Sequence, residues 1–196
     1  MAGLSIPQRE YRAHPAISKS DLFKITKSPL HFKWSMENKE DKTAALIFGS
    51  ACHKYILERD DFDSEFAVAL NVDRRTKAGK EEYAKWLEEN EGKDVVSSDD
   101  MEKIKAMAEV VDSNKFAKRL LSGEHEKSFF WTDEQTGEEC KCRPDDITII
   151  GNQHILVDYK TTDNAETEAF RATAIKYGYD LQAGMYCEGY KANTGE

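Results

Sequence analysis

Two short acidic segments lie close together in the C-terminal half of the sequence, residues 143–146 (Arg-Pro-Asp-Asp) and residues 158–160 (Asp-Tyr-Lys). In a strand, Asp158 and Lys160 would point to the same face, because successive side chains alternate. A hairpin of this length can then place Asp145 beside Asp158. The sequence therefore predicts two carboxylates and an ammonium group on one patch.

Paired carboxylates of this kind indicate a divalent-metal site. Two adjacent carboxylates repel each other unless a cation lies between them, and hard oxygen ligands suit Mg²⁺ or Mn²⁺. Beside such an ion, Lys160 would orient a water molecule or stabilise charge on a phosphoryl oxygen. On spacing alone, a surface hairpin with an ordinary Asp–Lys ion pair explains the same residues, because Asp-x-Lys is a weak signal by itself.

A β-meander is predicted to carry these residues. Strand patterns occur at residues 127–132, 140–143, 147–150 and 154–160, with the composition of a hairpin turn at residues 133–137. Two helices follow, at about 165–176 and about 180–192. The last strand contains Asp158 and Lys160, so the meander is the element that would position the site.

Helices dominate the sequence before residue 120. Ser18 and Asp21 form a loose capping box for a short helix, and Ser28 with Pro29 begins the next one. Further patterns predict helices at residues 42–58, at 76–90 and from Ser98 or Asp99 onward, with a short strand at residues 66–70. The first dozen residues are expected to form an irregular arm.

These elements predict an α+β fold, with a small mixed β-sheet flanked by helices. We expect one domain over residues 1–196, with a helical N-terminal part at about 1–120 and the catalytic meander with its following helices at about 125–196. The content of 39% hydrophobic and 33% charged residues is typical of a soluble globular protein.

The chain is acidic overall, with 28 Lys and Arg against 37 Asp and Glu and a net charge of −9. A protein of this charge is not attracted to nucleic acid by its overall field. Residues 1–36 differ, with six basic and two acidic side chains. No stretch approaches the roughly 18 apolar residues of a transmembrane helix, and no secretory leader is visible. We therefore expect a cytoplasmic protein with no membrane partner.

A Pro-Asp pair followed after a gap by Asp-x-Lys resembles the signature of the PD-(D/E)XK nuclease superfamily. The segments LIFGSACHKYILE, KCRPD and ILVDYKTT, with the later Gln182-x-x-x-Tyr186, are similar to the RecB-type branch. The segment ISKSDLFKITKSPLHFK resembles the RecE-like exonuclease VIII group of phage and prophage recombination nucleases. The resemblance runs from about residue 17 to about residue 190 and implies an α/β/α restriction-endonuclease-like core.

The resemblance gives each motif residue a role. His53 is similar to the metal-ligand histidine of the RecB-type branch, and Asp145 and Asp158 to its two carboxylate ligands. The carbonyl of Tyr159 would be a further ligand, and Lys160 the catalytic lysine. The implied cofactor is Mg²⁺ or Mn²⁺.

Three of these assignments keep an alternative. Asp146 would be the ligand if Asp145 is not, although the Arg-Pro-Asp string favours Asp145. His53 taken alone would be interpreted as a core histidine on an apolar helix face. Glu126 resembles an acidic position of the family near the site, and its alternative is a solvated charge at the end of a strand.

Several other residues are candidates for contact with DNA. Gln182 and Tyr186 share a helix face, where the resemblance implies contact with DNA or positioning of the lysine, and the alternative is ordinary amphipathic packing. Thr161 extends the active strand, where it would bind a phosphate or cap the next helix. The remaining candidates are basic, namely Arg74, Arg75, Lys77, Lys19, Lys24, Lys27 and Lys33.

The four cysteines are too few for a disulfide scaffold. Cys52 is interpreted as a small buried thiol on a helix. Cys140 and Cys142 point the same way in a strand, and Cys187 follows alone near the C-terminus. This spacing differs from that of the family members that bind an iron–sulfur cluster, so we expect no such cluster and no structural zinc.

The resemblance implies a metal-dependent exonuclease that hydrolyses the phosphodiester bonds of double-stranded DNA from 5′ to 3′ without a covalent intermediate. It also implies a single-strand annealing recombinase of the RecT type as partner, a ring-like homo-oligomer, and the cytoplasm of a bacterial or phage-infected cell. The alternatives are an endonuclease or flap nuclease, a non-catalytic DNA-binding module of the same fold, and an interaction domain without a DNA role. Because relatives continue with a further strand and helix, we expect a C-terminally truncated form or a natural fragment.

Overall fold

The computed structural model describes residues 3–38 and 42–196. The helices are α1 (Gln8–Ala13), α2 (Lys19–Ile25), α3 (Pro29–Glu37), α4 (Ala44–Leu57), α5 (Phe62–Glu65), α6 (Lys77–Glu89), α7 (Ser98–Ser113), α8 (Lys115–Leu120), α9 (Thr167–Tyr177) and α10 (Tyr179–Thr194). The strands are β1 (Phe66–Val68), β2 (Asp94–Val96), β3 (Glu124–His125), β4 (Phe129–Thr132), β5 (Glu139–Cys142), β6 (Asp146–Ile150) and β7 (Gln153–Val157). Long helices with small sheets confirm the predicted α+β class. Among these residues, no helix combines the length and apolar character that a membrane span requires.

The described residues form two compact units. Residues 3–38 and 119–196 form one, which we call the meander unit, and residues 42–118 form the other, which we call the helical unit. The paired acidic segments of the predicted site both belong to the meander unit. A single domain over the whole chain stays a prediction.

The helical unit follows its sequence pattern closely. Helices α4, α6 and α7 begin after Thr43, Thr76 and Ser97, whose side chains accept hydrogen bonds from N–H groups of the first turn. Strand β1 pairs in parallel with β2, which the sequence pattern did not predict. Helix α7 buries Met101 and Ile104.

Within the first dozen residues, the described part from residue 3 onward does not form the predicted irregular arm. Leu4 forms an antiparallel bridge with Ser128, and Ile17 forms a parallel bridge with Cys140. Helix α1 lies between these bridges, has no side-chain hydrogen bond at its N-cap and buries none of its residues. The helix therefore lacks the N-cap signal by which a helix start is read from sequence, and contacts with distant residues hold the segment in place.

A buried lysine holds this N-terminal segment. The Nζ atom of Lys141, in β5, donates hydrogen bonds to the carbonyls of Tyr11 (2.9 Å) and His14 (2.6 Å). The same atom lies 5.0 Å from the centroid of the Tyr11 ring. A buried ammonium group needs such partners, because an unpaired charge in a protein interior is strongly unfavourable.

Two antiparallel sheets form the centre of the meander unit. Strand β6 lies between β3 and β7 in one sheet, and β4 pairs with β5 in the other. In the first sheet Asp146 pairs with Val157, so Asp145 and Asp158 follow at the same edge. Strand β7 ends at Val157, before the predicted end at residue 160, and Asp158 therefore lies just beyond the strand.

Helix α10 packs against β4 and β5. The buried core consists of Phe129, Cys142, Ile147 and Tyr190, with Trp131, Leu156 and Tyr186 packed against it. Gly189 allows this close packing, because a Cβ atom there would lie 2.6 Å from Sγ of Cys142 and 2.6 Å from the Trp131 ring. Because residue 189 is a glycine, α10 can lie close to the sheet. The same helix carries the candidate residues Gln182 and Tyr186.

Replacing Gly189 with alanine is expected to destabilise the protein by about 1–3 kcal/mol, because the added methyl group overpacks the core. Gly184 in the same helix is the matched control, since a Cβ atom there meets nothing within 4 Å. Gly184→Ala is expected to stabilise the protein by about 0.5–1 kcal/mol through helix propensity alone. Urea unfolding measures both free energies, and equal effects would contradict the close approach at Gly189.

Candidate active site

Asp145 lies immediately before β6 and is buried. Its N–H donates to the carbonyl of Val157 (3.0 Å), and its Oδ2 accepts a hydrogen bond from the N–H of Tyr159 (2.5 Å). The carboxylate thereby holds the segment that follows β7, where the ladder of the sheet has ended. The structure brings together Asp145 and residues 158–160, as the predicted hairpin requires.

Asp158 is surrounded by hydrogen-bond donors. Its Oδ1 accepts from Nε2 of Gln182 (2.7 Å) and from the hydroxyl of Tyr186 (3.1 Å), and its Oδ2 forms an ion pair with Nζ of Lys160. Burial raises the pKa of Asp158, and the nearby charge of Asp145 raises it further. The charge of Asp145 therefore disfavours ionisation of Asp158, and the charge of Lys160 opposes this effect.

Glu126 is a third carboxylate of the meander unit and lies beside Asp145. One of its oxygens lies within 4.8 Å of an oxygen of Asp145, and its N–H donates to the Asp145 carbonyl (3.1 Å). The backbone of Glu126 is left-handed, with a φ of 53°. Such a conformation is uncommon for a residue with a side chain and occurs often at functional sites. Nothing in the sequence indicated this left-handed backbone, although Glu126 itself was a candidate site residue.

Arg143 forms an ion pair with Glu126, a contact that the sequence analysis missed. The Nε atom of Arg143 lies 2.6 Å from Oε2 of Glu126, and the two side chains are 9% and 18% exposed. The guanidinium carbon also lies 5.5 Å from the centroid of the Tyr11 ring. A basic residue between buried Cys142 and Pro144 was the available sequence signal, because a charge in such a segment needs a partner.

Asp146, the alternative metal ligand, has different partners from Asp145. Its fully buried carboxylate accepts a hydrogen bond from the N–H of Gly123 (2.9 Å) and lies 2.8 Å from Nδ1 of His125. These partners lie at β3, on the opposite side of β6 from β7. Asp146 therefore has a structural explanation that needs no metal.

Gln182 and Tyr186 lie on one face of α10, at the Asp158 carboxylate. Nε2 of Gln182 donates to the Tyr186 hydroxyl (2.7 Å) as well as to Asp158. Burial raises the pKa of Tyr186 well above its usual value, and the charge of Asp158 adds to the effect. The hydroxyl therefore stays protonated, and both side chains act as donors to Asp158.

His53 and Thr161 belong to different units. His53 lies in α4 of the helical unit, and its side chain is half-buried. Thr161 follows Lys160 in the meander unit and is also half-buried. Their roles as a metal ligand and a DNA contact stay predictions.

Arg74 and Arg75 lie in the exposed turn before α6, in the helical unit. The guanidinium carbon of Arg74 lies 4.7 Å from the centroid of the Tyr83 ring. Arg75 forms an ion pair with Asp73, with 3.0 Å between Nε and Oδ1. Both guanidinium groups thus have partners close by in the chain, and their contact with DNA stays a prediction.

Three of the four cysteines belong to the meander unit, and Cys52 belongs to the helical unit. Cys52, on α4, is buried as interpreted from the sequence, and Cys140 and Cys142 are buried in β5, whereas Cys187 is exposed on α10. Burial raises the pKa of Cys142 to about 12. Because metals bind the thiolate form, Cys142 is a poor ligand at neutral pH.

The carboxylates of the meander unit fit a hard divalent cation. Asp145, Asp158 and Glu126 supply oxygen atoms, the ligand type that Mg²⁺ and Mn²⁺ prefer. The pKa of Asp158 is raised first by burial and then by the charge of Asp145. A bound cation would oppose both effects, because it favours the ionised carboxylate.

Arg143→Met is expected to destabilise the protein by about 3 kcal/mol, because it removes the guanidinium group that forms an ion pair with the largely buried Glu126 carboxylate. Adding Glu126→Gln removes this charge and is expected to recover most of the lost stability. Urea unfolding of the single and double variants measures both free energies. A double variant no more stable than Arg143→Met alone would contradict the pairing.

Comparison with known proteins gives the fold of the chain. No curated protein matches it. A crystal structure of an Eubacterium rectale protein named "Putative exonuclease" is similar, with 13% sequence identity, a TM-score of 0.53, and coverage of 99% of this chain and 70% of that chain. At this identity the likeness concerns the fold, and it agrees with the predicted restriction-endonuclease-like arrangement.

A family described as a PDDEXK-like domain of unknown function (DUF3799) matches residues 18–196. This match confirms the predicted PD-(D/E)XK resemblance and supports a nuclease. PDDEXK nucleases use divalent metal ions, and the carboxylates of Asp145, Asp158 and Glu126 are suitable ligands for such an ion. Because the match extends over most of the sequence, the chain belongs to this family of PDDEXK-like domains.

Proposed function

We propose that this chain is a divalent-metal-dependent exonuclease acting on double-stranded DNA. The observation that carries the proposal is the meeting of Asp145, Asp158 and Lys160 at one edge of a sheet, with the pKa of Asp158 raised by burial and by Asp145. A carboxylate with a shifted pKa beside a lysine is typical of catalytic sites. Membership of a PDDEXK-like family supports the same chemistry.

The proposed cofactor is Mg²⁺ or Mn²⁺, held by Asp145, Asp158 and Glu126. The carbonyl of Tyr159 and the imidazole of His53 are proposed as further ligands, on the strength of the RecB-type resemblance. A divalent ion, when bound, lowers the pKa of water and neutralises charge on a phosphate group.

Lys160 is proposed as the catalytic lysine. Its ammonium group lies beside Asp158, where it would orient the attacking water and stabilise charge on the scissile phosphate. Gln182 and Tyr186 are proposed as positioning residues, because both hold the Asp158 carboxylate through hydrogen bonds. Fixing a carboxylate from two sides limits its rotation and prepares it for one geometry.

The finer assignments rest on the RecE-like resemblance. We propose resection from the 5′ end, contact of Thr161, Arg74 and Arg75 with the DNA backbone, a RecT-type annealing recombinase as partner, and a ring-like homo-oligomer in the bacterial or phage-infected cytoplasm. The name of the structurally similar Eubacterium rectale protein, "Putative exonuclease", favours an exonuclease over an endonuclease.

The wild-type protein is expected to degrade linear duplex DNA with Mg²⁺ and to leave it intact with EDTA. Asp158→Asn is expected to abolish cleavage, and Lys160→Met to slow it by about 100-fold to 1,000-fold, the loss typical of one charge-stabilising group. Asp163→Asn is the matched control, because Asp163 is exposed. Gel assays measure the rates, and intact DNA in every wild-type lane would contradict the proposed activity.

The form of the substrate distinguishes an exonuclease from an endonuclease. A closed circular duplex has no ends, so we expect it to survive under conditions in which the linear duplex is degraded. Duplexes labelled at the 5′ or the 3′ end report polarity, and early release of the 5′ label is expected. Cleavage of the circle would favour the endonuclease or flap nuclease instead.

Calorimetry with Mn²⁺ tests the metal site in the absence of DNA. We expect Asp158→Ala to bind Mn²⁺ at least about 10-fold more weakly than the wild type. Asp163→Ala should bind like the wild type, and His53→Ala tests the ligand proposed from the helical unit. Equal affinities of the wild type and Asp158→Ala would be incompatible with this site.

A further inference from the structure

Two tyrosines flank the turn between α9 and α10, close to Lys160. Tyr177 ends α9 and Tyr179 begins α10, and Gly178 between them has a left-handed backbone with a φ of 61°. The two rings are nearly parallel, 22° apart, with 6.3 Å between their centroids. Tyr177 is 46% exposed, whereas Tyr190 in the core is 4% exposed. The ring of Tyr177 is therefore available to a ligand.

Lysine side chains lie against these rings. The Nζ atom of Lys19, at the start of α2, lies 5.8 Å from the centroid of the Tyr179 ring and donates to the carbonyl of Tyr177. The Nζ atom of Lys160 lies 5.4 Å from the same Tyr179 ring. That of Lys176 lies 5.1 Å from the Tyr177 ring. Such cation–ring contacts hold the ammonium groups beside the aromatic surface.

The charges at this place favour an anionic ligand. Two ammonium groups that share the Tyr179 ring repel each other. Burial and then the charge of Lys160 lower the pKa of Lys19, and the charges of Asp158 and Asp180 oppose this with smaller effects. Lys160 forms an ion pair with Asp158, whereas the hydrogen bond of Lys19 goes to a carbonyl, which has no full charge. An anion near Lys19 would relieve the repulsion.

Flat aromatic rings beside ammonium groups are suited to bind single-stranded nucleic acid. A nucleic-acid strand with an unpaired base offers a flat ring for stacking and a phosphodiester for the ammonium group. A base inside a duplex is already stacked on both faces and paired along its edge. It therefore cannot stack on an aromatic side chain in this way. Charge and ring geometry together thus favour a single strand over an intact duplex.

We propose that Tyr177 and Tyr179 form a stacking platform for an unpaired base of the substrate strand, and that Lys19 binds an adjacent phosphodiester. This tyrosine platform lies next to Lys160, so the strand would be single-stranded where it reaches the carboxylates. The inference rests on the proposed nuclease function and adds a requirement to it, namely that the end of a duplex opens before hydrolysis.

Binding of a fluorescent single strand of about 12 nucleotides, measured by anisotropy in EDTA to prevent cleavage, tests the platform. Tyr177→Ala is expected to weaken binding by about 5-fold to 100-fold, the range of one lost base–aromatic stack. Tyr177→Phe keeps the ring and should bind like the wild type, whereas Tyr177→Leu keeps only apolar bulk and should resemble Tyr177→Ala.

Phe116→Ala is the matched control, because Phe116 is an aromatic residue of α8 with 68% exposure and lies outside the platform. This variant is expected to bind the single strand like the wild type. The same variants are measured with a blunt duplex of equal length, on which Tyr177→Ala is expected to have a smaller effect. An equal or larger loss on the duplex would overturn the assignment to an unpaired base.

Lys19→Met tests the phosphodiester contact. We expect weaker binding of the single strand and a shallower dependence of affinity on salt, by about 0.7 in the logarithmic slope for one lost phosphate contact. An unchanged slope would overturn the role of Lys19. Unchanged affinity in Tyr177→Ala, or wild-type protein that does not bind the strand, would overturn the platform.

The cleavage assay keeps this inference separate from the proposed function. If the wild type degrades linear DNA but Tyr177→Ala binds and cuts as the wild type does, only the tyrosine platform is wrong. If the platform variants lose affinity for the single strand while the wild type cuts nothing with Mg²⁺, the binding site is supported and the nuclease activity is wrong.

Discussion

Asp145 and Asp158 are held close together although the charge of Asp145 disfavours ionisation of Asp158. The antiparallel register of β6 and β7 places them at one sheet edge. Backbone contacts with Val157 and Tyr159 fix Asp145, and side chains of α10 fix Asp158. An isolated hairpin would let these carboxylates rotate apart. The folded unit prevents this, and the unfavourable electrostatics persist because the surrounding hydrogen bonds offset them.

One helix connects this site with the hydrophobic core. Tyr186 of α10 donates to Asp158, and Tyr190, one turn later, packs on Phe129 with 5.5 Å between ring centroids. The close approach at Gly189 sets the distance of the whole helix from β4 and β5. Packing and site geometry are therefore coupled, because a shift of α10 away from the sheet would also move the donors of Asp158.

Local sequence signals were sufficient for the parts of the fold that depend on neighbours in the chain. The Ser28 cap gave the start of α3, and the spacing of Asp145 and Asp158 gave the hairpin. Two features of the site depend on distant contacts, which local sequence signals do not identify. Glu126 adopts a left-handed backbone at a strand end, and Arg143 finds its carboxylate only in the folded structure. The same reason explains why α1 was missed.

The buried ammonium of Lys141 and its two carbonyl partners at Tyr11 and His14 have a consequence for how the chain is made. The meander unit needs residues from both ends of the sequence, since Lys19 also bonds to the carbonyl of Tyr177. During synthesis the first segment leaves the ribosome long before its partners exist. The helical unit is a compact unit of residues 42–118 and can form during that interval. Closure of the long loop across it is the slow entropic step.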